Sequence, residues 1–349
     1  MMTKKLRVLI SHSHDPYFNL ACEDWIFRDL NPDTRILFIW RNQPTVVIGR
    51  FQNPWAECNL AKMNEDNILL VRRQSGGGAV FQDLGNTNFT FMSGKNLYKK
   101  EDNNQILISA LKKMGINALA SGRNDLVIEK EDGPRKISGS AFKENVDRSF
   151  HHGTMLINVD LNKLASYLSP SKKKLQAKGI QSVRSRVANL TELNQNISHD
   201  LLENNLIDEF FKFYQSEGPI DKLDFMGNEK MELEYQPLHR YYHHLKSYEW
   251  RLGETPEFSH SMEERFSFGE FNLLFLVQKG IILKCTIYSD TLHPEMVEIM
   301  SKKLEGRSYS GQGLTQAFHF IKKDLPMYLS ELLEIEDWVL LQIEGQGLE

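Results

Sequence analysis

Cysteine is scarce. Three residues in 349, Cys22, Cys58 and Cys285, are odd in number and far apart. That spacing excludes a disulfide framework and a CxxC metal knuckle, and no base lies close enough in sequence to favour thiol catalysis. A dominant charge is also missing. Lys and Arg total 42 against 46 Asp and Glu, a net −4 that argues against a general nucleic-acid or membrane surface. No apolar run reaches the length of a bilayer span, and the one after MMTKK is too short for a secretory signal. Internal repeats and low-complexity tracts are absent, and so are the two commonest nucleotide signatures, G-x-x-x-x-G-K-[ST] and G-x-G-x-x-G. Adjacent histidines stand at His151-His152 and His243-His244, but neighbours on a strand point to opposite faces and chelate poorly. These absences leave a soluble protein of a reducing, cytoplasmic compartment.

What is present is ordinary globular material, 41% hydrophobic and 25% charged, in a chain long enough for two domains. Leu6 to Ser11 reads as a strand. Asp15-Pro16 opens a helix that repeats apolar residues through Leu20, Ala21, Trp25, Ile26 and Leu30. RILFIW (35–40) and TVVI (45–48) read as paired strands about Asn42-Gln43-Pro44, and Asn53-Pro54-Trp55 opens a further helix. A helix over Asn104 to Met114 stops at Gly115, and a hairpin joins Asp125–Lys130 to Arg135–Ser140. Gly153 to Val159 is a strand and Leu161 to Leu168 a helix, and Ser198 caps a helix running to Tyr214. From Gly218 the pattern loosens, punctuated by Pro219, Gly227 and Pro237, and Leu252 to Ser261 reads as a connection. Strands over Phe266–Val277 and Ile281–Ser289, then helices from Pro294, Thr315 and Leu329, make a second region. The fold class is α+β, with a mixed sheet in the larger part.

The chain is organised around LVRRQSGGGAVFQDLGNTNFTF (70–91). Gly76, Gly77 and Gly78 remove every Cβ from one point beside Arg72 and Arg73, which suits the approach of a phosphate or carboxylate. A tight hairpin with solvated arginines accounts for the same residues equally well. Lys136 stands among small residues in RKISGSA, with Arg123-Asn124-Asp125 before it and His152-Gly153-Thr154 after. Lys172 to Lys174, with Lys178, reads as a basic loop.

The segments RRQSGGGAVFQDLGN, SGRNDLV, RKISGSA, HHGTMLIN and KGIQSVRSRVANLTEL, in this order, resemble the lipoate–protein ligase A family. So do SHSHDPYFNLACEDWIF and IWRNQPTVVIGRFQNPW, and the resemblance covers essentially the first 200 residues. SYEWRLGETPEFSHSMEERF is similar to the start of the family's small C-terminal domain. The resemblance implies a large catalytic domain of the biotin/lipoate ligase type over residues 1–250 and a small α/β accessory domain over 255–349. It implies that ATP activates lipoate to lipoyl-AMP with release of pyrophosphate. The lipoyl group then passes to a lysine of an acceptor: the lipoyl domains of 2-oxoacid dehydrogenase E2 subunits or the glycine-cleavage H protein. No tightly bound prosthetic group, nucleic acid or membrane partner is implied, and the protein is expected to act as a monomer.

On this resemblance Lys136 is the essential residue, a cation between two anions that repel each other. Arg73, Ser75, Gly76, Gly77, Gly78, Ala79, Val80 and Phe81 line the nucleotide and adenylate, with Asn86, His152 and Thr154 as polar contacts. Arg73 and Lys136 also hold lipoate, whose dithiolane tail lies against Trp40 or Val80. Asp125 helps to place Mg²⁺. The 171–190 segment closes over the adenylate, and its lysines steer an acidic acceptor. One departure stands at Gln82, where the family pattern carries histidine; a glutamine keeps hydrogen bonding without a titratable proton. A transferase using a preformed acyl donor, or a binding protein of the same fold, are the competing readings.

Overall fold

The computed structural model describes residues 5–29, 31–122, 124–168, 187–224, 235–252, 260–278 and 280–344. The basic loop at 172–178, Arg123 and most of the 252–261 connection lie outside them. The chain divides into two compact units. The first holds 1–48, 54–74 and 79–251; the second holds 49–53, 75–78 and 252–349.

In the first unit an eight-stranded mixed sheet runs β11-β1-β2-β6-β10-β9-β8-β7. Its strands are β1 (Lys5–Ser11), β2 (Thr34–Trp40), β6 (Asn86–Gly94), β7 (Leu119–Ser121), β8 (Asp125–Ile128), β9 (Arg135–Glu144), β10 (Arg148–Leu156) and β11 (Ile220–Leu223). β1 is parallel to β2 and β11, and the pairs from β2 onward are antiparallel. A three-stranded sheet, β4-β3-β5, combines β3 (Thr45–Ile48), β4 (Leu69–Arg72) and β5 (Val80–Gln82). The expected pairing of 35–40 with 45–48 is therefore wrong. β2 pairs with β6, while β3 leaves for the smaller sheet, because Asn42 is drawn into buried side-chain hydrogen bonds with Asn19 and Gln82 instead of closing a hairpin.

Helix α1 (Pro16–Asp29) starts where expected. The Asp15 carboxylate accepts from the Tyr17 and Phe18 amides at 2.8 and 3.1 Å, answering donors left open by the first turn. Ser198 does the same for the helix His199–Tyr214, accepting from Leu201 N. That helix and Lys100–Lys113 cover one face of the large sheet over Phe89, Phe91, Leu126, Ile137 and Met155. α1 and the helix Gln236–Lys246 cover part of the other, over Phe38, Trp40, Met92 and Phe150. Pro237 does not break the chain as expected; it sits in the first turn of that last helix, where a missing N–H costs nothing. The strand expected over 153–159 starts earlier, at Arg148, and ends at Leu156, so both histidines of the first pair lie on it.

The second unit packs the antiparallel sheet β12 (His260–Phe266), β13 (Gly269–Gln278) and β14 (Ile281–Ser289) under helices Pro294–Leu304, Gly311–Asp324 and Leu329–Glu344. Its core, including Phe271, Phe275, Met296, Phe318 and Val339, is separate from those of the first unit. The strand expected over 266–277 begins at Gly269, after a turn at Ser267-Phe268, and the strand before it, β12, was not expected.

Candidate active site

Strand register decides which side chains share a face. β6 against β10 sets Asn88 opposite Thr154 and Thr90 opposite His152, and β2 against β6 sets Trp40 opposite Asn88. β8 against β9 sets Asp125 opposite Gly139, whose N–H reaches Thr154 Oγ1 at 3.3 Å. One face of the large sheet therefore carries Trp40, Asn86, Asn88, Thr90, His152, Thr154, Gly139 and Asp125, while their neighbours enter the core.

Lys136 joins this face through an irregularity. The β8–β9 register shifts between Leu126 and Val127, so Lys136 pairs with Val127 and Ile137 is the extra residue of a bulge. In a regular strand residues three apart face opposite ways; here the bulge turns Lys136 to the side of Gly139 and Asp125. The ammonium lies 2.7 Å from Asp125 Oδ1, with both side chains about one-third exposed. Beyond the reach of β10, the Lys136 carbonyl accepts from Ala188 N at 2.9 Å, which fixes the strand's start.

A buried polar network continues the face. Glu23 of α1, 1% exposed, accepts from Thr90 Oγ1 at 2.7 Å and pairs with His152 Nδ1 at 2.9 Å. A carboxylate only accepts, so Nδ1 carries a proton. Arg73 is buried, with Nη1 donating to Val47 O at 3.2 Å; burial pulls its guanidinium down to about 10, opposed by the charge of Glu23. Arg72 has a structural task. It donates to the carbonyls of Trp250 and Arg251, and Trp250 Nε1 returns a bond to its carbonyl. Gln82 is buried at the end of an amide chain, its carbonyl accepting from Asn42 at 2.8 Å and Asn88 at 3.3 Å. Asn88 in turn accepts from Asn86, whose own Oδ1 is buried with no hydrogen-bond partner.

The remaining expected residues divide. Val80 and Gln82 alternate with Phe81 on β5, and Phe81 turns instead to Tyr167, 5.4 Å between ring centres. Ser75 to Gly78 belong to the second unit. There Gly77 N–H donates to Thr291 O at 2.8 Å, and a Cβ on Gly76 would stand 2.2 Å from that same oxygen. Gly77 has φ 91°, so these two glycines serve close packing and backbone conformation. Gly78 has open space where a Cβ would be. His151 faces away from His152 among Phe89, Phe91 and Phe142, and burial lowers its imidazole to about 3. Glu23, Asn88 and Thr90 escaped the sequence reading. Polar residues at alternate positions in NTNFTF were the available signal, but the strand's partner is not written in its own sequence.

Among the described residues no three His, Cys, Asp or Glu side chains gather to hold a metal ion. Nor is any helix there long and apolar enough to cross a membrane. The face thus gathers a lysine paired to one carboxylate with amide, hydroxyl and imidazole groups around them.

A mixed α+β sheet with such a face, followed by a small separate unit, is the plan of an acyl-activating ligase domain with an accessory domain. Residues 15–211 match the family model of the lipoyl protein ligase A/B catalytic domain, and 255–339 match that of the bacterial lipoate protein ligase C-terminus. The chain belongs to the lipoate–protein ligase family. It is 48% identical to lipoate-protein ligase A of Bdellovibrio bacteriovorus over 341 residues, 98% of this chain and 99% of that one. Its fold is similar to that of P. falciparum LipL1 crystallised in complex with lipoate, at 33% identity and TM-score 0.83, covering 96% and 99% of the two chains. A lipoate-protein ligase A bound with ATP is similar at 27% identity and TM-score 0.58, covering 72% and 99%. So is the bi-partite ligase of Thermoplasma acidophilum, described with its E2 lipoyl domain, at 27% identity and TM-score 0.61, covering 73% and 98%.

Proposed function

We propose that the protein joins free lipoate to lipoyl domains in two steps, and that Lys136 provides the charge both steps turn on. In the first, a carboxylate oxygen of lipoate attacks the α-phosphorus of ATP, the bond to pyrophosphate breaks, and lipoyl-AMP forms. Two anions must meet, and a fixed ammonium between them stabilises the encounter and the charge growing on the phosphoryl oxygens. In the second, an acceptor lysine amine attacks the lipoyl carbonyl and AMP departs. The observation that carries the reading is the bulge that brings Lys136 onto the face of Thr154, His152 and Asn86. The similarity to lipoate-bound and ATP-bound ligases supports the two small substrates.

In this reading Arg73 holds carboxylate or phosphate oxygens, and Asn86, His152 and Thr154 meet the adenylate. Of Ser75 to Phe81, Gly78, Ala79 and Val80 lie along the nucleotide, Gly78 with open space where a Cβ would be. The dithiolane lies toward Trp40 or Val80. One carboxylate, Asp125, matches the way Mg²⁺ is commonly held, by phosphate oxygens and one or two carboxylates, so the ion would come with the nucleotide and neutralise its phosphates. Residues 1–250 act as the catalytic domain and 255–349 as the accessory domain. Acceptors are the lipoyl domains of 2-oxoacid dehydrogenases and the glycine-cleavage H protein, met in the cytoplasm by a monomer.

The test mixes the protein with ATP, free lipoate and an apo lipoyl domain and reads the acceptor by intact mass. One lipoyl increment with matching pyrophosphate release is expected. Modification from supplied lipoyl-AMP alone would reduce the protein to a transferase, and no modification from either donor would leave it a binding protein.

A further inference from the structure

The Lys136 ammonium does not stand out from its strand. It folds back over Gly139, and an ideal Cβ at Gly139 would lie 2.6 Å from Lys136 Nζ and 2.7 Å from its Cε. The next nearest atom to such a Cβ is Asp125 Oδ1, at 3.9 Å, so the space is filled by the lysine tip alone and no backbone atom crowds it. Gly139 is not held in a left-handed conformation. Neither backbone conformation nor close backbone packing requires glycine here, unlike Gly76 and Gly77. What requires it is the ammonium, held from the side by Asp125 at 2.7 Å.

We infer that Gly139 is a positioning residue for Lys136: its missing side chain is the seat on which the ammonium rests against Asp125. This rests on the reading that Lys136 serves the reaction. A methyl group at 139 needs about 3.5 Å of clearance, so it lifts the ammonium by about 1 Å off its seat, sideways across Asp125 rather than away from it. The displaced atom is the free end of a flexible chain, so the fold absorbs the change easily. Alanine also restricts the unfolded chain more than glycine does, which offsets what strain remains.

The experiment compares Gly139→Ala, Lys136→Met and the double variant in the full-length protein. Three readouts serve: thermal melting, single-turnover adenylate formation, and calorimetric affinity for a sulfamoyl analogue of lipoyl-AMP. Gly139→Ala is expected to melt at or above the wild-type midpoint and to form adenylate roughly 10- to 100-fold more slowly, the usual effect of a misplacement of about 1 Å. In the Lys136→Met background the same change should leave analogue affinity unaltered, because the group it acts through is gone. A normal rate in Gly139→Ala, a lowered melting midpoint, or an equal loss of affinity with and without Lys136 would each overturn the inference. A normal rate in Lys136→Met would instead overturn the reading beneath it.

Discussion

Replacing Glu23 with glutamine probes the buried end of the site more sharply than removing it. The wild-type carboxylate accepts from Thr90 at 2.7 Å and from His152 Nδ1 at 2.9 Å, and its charge supports the buried Arg73. Glutamine has the same shape but offers one oxygen and one NH2 group. Its oxygen can take the place of Oε1, which Thr90 and His152 Nδ1 both meet, but its NH2 group then stands where Oε2 lay, 3.1 Å from Nδ1. Hydrogen bonds to charged groups contribute about 1.5–3 kcal/mol and neutral ones about 1 kcal/mol. Loss of charge from two bonds, and of the Glu23 charge that supports Arg73, should cost about 2–4 kcal/mol of a total stability of about 5–15 kcal/mol. Urea unfolding should show a lower midpoint at unchanged slope. A loss under about 0.5 kcal/mol would refute the reasoning, because such a loss is what an ordinary surface substitution produces.

Burial pushes the Asp24 carboxyl up to about 7, opposed by Lys143, and its Oδ2 has no hydrogen-bond partner. The folded state keeps a proton that the unfolded chain releases near its ordinary value, so this stability is full in acid and lost as pH rises through 7. Asp24→Asn should match wild type near pH 4 and exceed it by about 2–4 kcal/mol at pH 8, read from urea midpoints at the two pH values. His151 has the opposite sign. Its imidazole, lowered to about 3, stays neutral in the fold, so stability is present above the ordinary histidine value and lost as pH falls below it. His151→Phe should flatten that acid limb of the melting curve, and an unchanged limb would show the residue is not its source. Gly76→Ala drives a methyl group into Thr291 O and should lower the melting midpoint. Gly78→Ala meets nothing within 4 Å, should melt normally, and should weaken ATP binding by calorimetry if the loop meets the nucleotide.

The parts of the fold legible in the sequence were those that local chemistry dictates. Asp15-Pro16 and Ser198 announced their helices because a capping oxygen and a proline act within one turn. The hairpin around Asp132-Gly133-Pro134 was equally local, and it delivered Lys136 to a strand beside Asp125. Sheet order was not legible, since β2 finds β6 across some fifty residues and β3 leaves for another sheet. The residue set around Lys136 came from family resemblance, while its geometry came from register. The bulge at Ile137 has no sequence signature of its own, and Glu23 reads as one more acid on an amphipathic helix until Thr90 and His152 are seen against it.

The measurement closest to the central claim is single-turnover formation of lipoyl-AMP from ATP and lipoate by Lys136→Ala, followed by pyrophosphate release. The account predicts a rate at least roughly 100-fold below wild type in a protein that folds normally. A variant forming lipoyl-AMP at the wild-type rate would contradict it.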